Sequence, residues 1–139
     1  MNASFESSEV ARLLSELHAT FPSLSAVYLF GSAAQGRMHA ESDIDVAVDI
    51  GRALTSAERW HAMQVFSICM LREVDLIDFR VASDVLRHQI LTTGRRVYAR
   101  DEAAQSAYDA AVLSEYFDFI AQRAPLMQDI ISRGSVYAR

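Results

Sequence analysis

Apolar residues recur at positions 10, 13, 14 and 17, the i, i+3, i+4, i+7 spacing of one helical face, with Ser7 placed to cap and Glu9 in the first turn. That pattern predicts a helix over about 8–19, closed off before Pro22. The period then changes. Ala26-Val27-Tyr28-Leu29-Phe30 is an unbroken run of strand formers ended by Gly31, and 43–49 alternates acid and aliphatic, so both segments read as strands. Thr55 and Glu58 form a capping box opening a helix to about residue 71, on which Trp60, Met63, Val65, Phe66, Cys69 and Met70 make a broad face expected to turn to the core. A strand over 73–79 follows, then a helix over 84–93 capped by Ser83, with Val85, Leu86 and Ile90 inward and Gly94 as its stop. Residues 95–99 give a last short strand. From Asp101 the helical period returns through Ala104, Tyr108, Ala111, Val112, Glu115, Phe119 and Ile120; Pro125 is expected to kink or break it before Leu126, Ile130 and Ile131 resume the face.

Composition narrows what such a chain can do. Its 139 residues suit one domain, with residues 1–100 as the main body and 101–139 as a helical extension of it. All thirteen basic residues are arginine, and lysine is absent. A phosphate-binding P-loop, a protein kinase and a covalent nucleotidyl-lysine mechanism each need a lysine, so those routes to ATP chemistry are closed. The net charge of −5, with Arg95-Arg96 the densest basic pair, disfavours direct gripping of nucleic acid and template-directed synthesis. Cys69, the single cysteine, reads as a buried structural thiol. With no signal-peptide pattern and no stretch of membrane-spanning length, the expected location is the cytoplasm, away from membranes.

The chemistry concentrates in residues 31–45. Gly31 ends a buried strand and Ser32 can cap the turn after it, presenting backbone N–H groups to an anion such as a triphosphate. Alternation over 43–49 sends Asp43 and Asp45 to one face and Ile44, Val46 and Val48 to the other. Two carboxylates side by side repel unless a cation neutralises them, and oxygen donors suit Mg²⁺ shared with substrate phosphates. A third acid lies on the 73–79 strand. Asp75 and Asp78 are three apart, so only one can share the face of Asp43 and Asp45; the other would cap or pair at the strand end, with Arg80 in reach. His39 is expected to be exposed in the connecting loop, and His18, His61 and His88 receive no role. Arg87, Arg95 and Arg96 read first as surface charges, each long enough to reach a phosphate.

Gly31-Ser32, ten residues, then Asp43-Ile44-Asp45 resembles the signature of the polymerase-β-like nucleotidyltransferases, and the length resembles their minimal nucleotidyltransferase branch. The resemblance runs from Val27 to about Tyr98, half to two-thirds of the chain. It implies an α/β (α+β) polymerase-β-like fold, a small mixed sheet flanked by helices with a C-terminal helical segment. It also implies a catalytic metal set of Asp43, Asp45 and Asp75, the last from its Val-Asp-Leu context, holding two Mg²⁺ ions, with ATP bound through Gly31, Ser32 and Ser42. Members of the branch are typically encoded beside a HEPN-domain ribonuclease and act as antitoxins by adenylylating a tyrosine hydroxyl on it. That implies a hetero-oligomer with such a toxin. A binding-only antitoxin and a small-molecule nucleotidyltransferase are the alternatives. The aromatic surface from Tyr108 to Phe119 is divided in expectation between a partner and the chain's own core.

Overall fold

The computed structural model describes residues 7–31 and 43–132. Ser32, Met38, His39 and Ser42 lie outside the described residues, as does Gly134. The elements in order are α1 (Ser7–Thr20), β1 (Ala26–Phe30), β2 (Ile44–Asp49), α2 (Ser56–Met70), β3 (Val74–Asp78), α3 (Asp84–Thr93), β4 (Arg95–Ala99) and α4 (Glu102–Ser132). Among the described residues four strands make one mixed sheet in the order β3-β2-β1-β4. β1 is antiparallel to both β2 and β4, whereas β2 and β3 run parallel.

Both faces of the sheet are covered, which is why β1 is apolar throughout rather than alternating. On one face Val27, Leu29, Val46, Val48 and Leu76 pack with Leu13 and Leu17 of α1 and Ala62, Phe66 and Met70 of α2. On the other, Ala26, Tyr28, Ala47 and Phe79 meet Ile90 of α3 and Val112 of α4. The Thr55–Glu58 box caps α2 as expected, and Ser83 caps α3 through the Leu86 N–H. Gly94 is held by contact rather than by dihedral angle: a Cβ there would run into the Ile90 carbonyl and lie 2.6 Å from the Leu29 carbonyl, because the chain crosses directly over β1.

Several expected core positions prove to be exposed. Trp60 is 63% exposed, because Ala62, Phe66 and Met70 form the stripe that meets the sheet and Trp60 lies about 200° round the helix from Ala62. Cys69 is half-buried instead of buried. Desolvation is the main cause that pushes its thiol pKa up, which keeps it protonated and unreactive. Val85 faces solvent, since Leu86 and Ile90, four residues apart, already fill the contact of α3 with the core. Pro125 neither ends nor splits the last helix, which runs unbroken from Glu102 to Ser132. The carbonyl it deprives of a partner belongs to Ala121, on a stretch where residues 121–126 are all exposed, so water can satisfy it.

The outer margin of the sheet is closed by side chains. Val74 N–H, pointing away from β2, donates to Ser67 Oγ at 2.9 Å, and the Leu76 carbonyl accepts from Arg59 Nε at 2.6 Å.

Where α4 crosses the sheet, a buried polar chain fixes it. Fully buried Asp49 accepts from Arg80 Nε at 2.6 Å and from Gly51 N–H at 2.9 Å. Tyr28 donates its hydroxyl to Asp109 and accepts from Gln105, each at 2.7 Å, and Arg96 donates to Asp109 from the other side. Arg80→Met leaves the Asp49 carboxylate buried without its cation. The Arg80 side chain is 39% exposed, so the expected loss is about 2 kcal/mol in urea unfolding, below the full value of a buried broken pair. An unchanged midpoint would show that Asp49 draws its stability from Gly51 and Gln105 alone.

Candidate active site

β1 ends at Phe30, and Gly31 follows in the left-handed region at φ 66°, which glycine adopts without strain. Phe30 pairs with Asp45 across the antiparallel ladder, and Asp45 pairs with Asp75 across the parallel one. Residues in register point to the same face, so Asp45 and Asp75 are lateral neighbours. Asp43, exposed just before β2, shares their side by alternation. The register is enforced from beneath. Ile44, Val46 and Val48 are completely buried on the opposite face, and a one-residue slip would drive the carboxylates into that core.

Gly31 and Asp45 touch. A Cβ built on Gly31 would collide with the Asp45 carboxylate, so the Gly31 backbone lies directly against the acid. Burial, first, and then the charges of Asp75 and Asp43 raise the Asp45 pKa. Like charges sharing a half-buried face leave the ionised form unstable until a cation neutralises it. Three oxygen donors in this condition are the donor set that Mg²⁺ takes. Among the described residues no three of these side chains are yet gathered closely enough to enclose an ion, and one Asp75 oxygen is engaged by Arg59 Nη2 at 3.4 Å.

Asp78 lies elsewhere. It pairs in register with Val48, on the core face, and accepts from the Leu54 and Arg80 N–H groups at 2.7 and 3.1 Å. Its partner is thus the backbone of Arg80, while the Arg80 guanidinium goes to Asp49. Arg96 is committed to Glu102 and Asp109, and Arg87 to Asp84; Arg95 is exposed on β4 opposite Leu29. Sequence reasoning passed over Arg59 and Asp49. Arg59 sits three and seven residues before Ala62 and Phe66, a cation on the sheet-facing side of an amphipathic helix, and that placement was the available signal.

A family model described as "Polymerase beta, Nucleotidyltransferase" matches residues 13–103. The chain belongs to the polymerase-β nucleotidyltransferase family. Among curated members of this nucleotidyltransferase family, the protein adenylyltransferase MntA of Shewanella oneidensis is 31% identical over 127 residues, 91% of each chain. The crystal structure of a toxin–antitoxin with AMP-PNP contains a chain that superposes at a TM-score of 0.78 with 31% identity, over 87% of this chain and 97% of that one. The tri-AMPylated Shewanella oneidensis HEPN toxin in complex with an MNT antitoxin supplies another at 0.72 and 28%, over 87% and 94%. The mixed sheet flanked by helices is therefore the polymerase-β-like nucleotidyltransferase fold that the sequence motif implied. Among the described residues no helix is long and apolar enough to cross a membrane.

Proposed function

We propose that this protein transfers AMP from ATP to a tyrosine hydroxyl of a cognate HEPN toxin and neutralises it, as an antitoxin of the cytoplasm, where ATP is supplied. The observation that carries the reading is the registered pair Asp45–Asp75 with Asp43 on the same side, abutting the Gly31 turn, in a chain so similar to an adenylyltransferase. Asp43, Asp45 and Asp75 would hold two Mg²⁺ ions. When bound, the ions supply charge neutralisation for the phosphates and acidify the attacking hydroxyl.

The chain's own residues do the rest. Gly31 N–H, with Ser32 and Ser42, cradles the β- and γ-phosphates, which points the α-phosphorus at the acceptor. The tyrosine oxygen forms its bond to that phosphorus as the bond to the bridging α–β oxygen breaks and pyrophosphate departs. The hydroxyl proton passes to an Asp75 carboxylate oxygen, whose side chain is half exposed. No covalent enzyme intermediate is needed, consistent with a chain without lysine. Burial of Gln105 and Val112 supports reading α4 as part of the same domain, and its exposed Phe117, Ile120, Leu126 and Ile131 would offer the surface for the toxin.

Incubation with α-labelled ATP, Mg²⁺ and the proposed cognate HEPN toxin should label that protein alone, on tyrosine by mass spectrometry. Label confined to small molecules would assign the chain to antibiotic-type transfer. Tight binding of the toxin without label would make it a binding antitoxin.

A further inference from the structure

Arg59 reaches the acidic face from an unusual direction. It stands on α2, which packs on the opposite face of the sheet, and its side chain passes round the margin of β3. Two contacts of unequal strength hold it there. Its Nε donates to the Leu76 carbonyl at 2.6 Å, a short bond to a backbone that cannot move, whereas its Nη2 meets Asp75 Oδ1 at 3.4 Å through one nitrogen only. The side chains are 42% and 50% exposed, so the ion pair is solvated and weak. A bidentate fork, the strong geometry for arginine and carboxylate, is not made. The guanidinium is thus anchored to the sheet edge independently of the acid it neutralises.

We propose that Arg59 is a positioning residue that holds the Asp75 carboxylate towards the sheet margin while cations are absent and yields it to them when they arrive. The inference rests on the metal-dependent reading above. Its logic is electrostatic: three like charges on one face strain the empty site, and a tethered cation beside the outermost one relieves them. A loose, single-nitrogen contact to a half-solvated carboxylate costs little to exchange, so divalent ions would displace it readily. The arrangement sets the cation concentration at which the site assembles. A phosphate ligand at this position would behave otherwise, because it would act on nucleotide binding and not on the carboxylate.

The test is Mn²⁺ binding to the intact protein without nucleotide, by calorimetry, for wild type, Arg59→Met, Arg59→Lys, Asp75→Asn and the Arg59→Met/Asp75→Asn pair. Removing one solvated charge beside a ligand should tighten Mn²⁺ binding roughly five- to tenfold in Arg59→Met. Arg59→Lys, which keeps the charge, should stay within about twofold of wild type, and in the Asp75→Asn background the effect of residue 59 should fall below about twofold. AMP-PNP affinity should be unchanged in Arg59→Met. Tightening that persists without Asp75 would mean plain charge repulsion and overturn the proposal. Weakened AMP-PNP binding would make Arg59 a phosphate ligand and overturn it too, as would unaltered Mn²⁺ affinity in Arg59→Met with a lowered melting temperature, the mark of an edge cap. Mn²⁺ binding that ignores residue 59 overturns this inference alone, whereas a wild-type protein that binds no Mn²⁺ overturns the metal reading beneath it as well.

Discussion

Asp45→Asn should abolish adenylyl transfer while leaving the metal-free protein at least as stable as wild type. The carboxylate sits between Asp43 and Asp75, and cation-mediated charge stabilisation of a transferring phosphoryl group is worth several kcal/mol. At 1.36 kcal/mol per decade, losing the central ligand lowers the rate by roughly three orders of magnitude or more. The stability half of the expectation follows from the raised pKa. A carboxyl whose folded-state pKa lies above its unfolded one favours folding fully at pH values below the unfolded pKa, and that contribution is lost as pH rises through the folded one. Without metal, burial and the neighbouring acids oppose the ionised form of Asp45, and asparagine removes the conflict. The melting temperature of the variant should exceed that of wild type at pH 7 to 8, with the gap narrowing on acidification towards pH 4. An inactive variant that is also less stable at pH 7 would place Asp45 in the scaffold rather than in the site. Near-normal transfer would refute its role as a metal ligand.

Gly31→Ala should damage the site more than it damages the fold. The left-handed φ of 66° alone costs an alanine about 1–2 kcal/mol. The second effect is local: the new Cβ would occupy the space of the Asp45 carboxylate, so either the acid or the turn must shift. A displacement near 1 Å at reacting groups costs about 10²-fold in rate. The expected result is a folded protein with a urea midpoint lowered by that modest strain and transfer reduced by about two orders of magnitude. Gly51→Ala provides the control. It shares the positive φ, at 82°, but its nearest neighbour is Ser25 Oγ at 3.9 Å, so it should lose stability and keep its activity.

Much of this was legible in sequence because short-range physics decides it. The run Ala26–Phe30, rich in strand formers, reads as a buried strand, and alternation from Asp43 to Asp49 fixes which residues share a face whatever the neighbours are. Position three on from a cap residue fixes the role of Glu58. The misreadings share a cause, since each asked which of several apolar residues a helix would turn inward. Trp60 and Val85 are as hydrophobic as the residues that are buried, but a helix on a small sheet presents only one narrow stripe, and its rotation is set by Phe66 or Ile90 meeting partners far along the chain. The break offered as one outcome at Pro125 did not occur for the complementary reason: the penalty depends on whether the freed carbonyl is wet, and exposure is a tertiary property. The division of labour between Asp75 and Asp78 needed the register of β2 on β3, and the reach of Arg59 round the margin needed a packed helix; neither is written in local spacing.

The margin of β3 has a consequence for assembly. A sheet that ends in a bare strand invites another chain to dock by main-chain pairing and, in the worst case, to propagate into fibrils. Here Ser67 and Arg59 occupy the Val74 donor and the Leu76 acceptor, the groups an incoming strand would need. Recruitment along that flank would have to proceed through side chains, so its selectivity would reside in residue identity rather than in main-chain pairing.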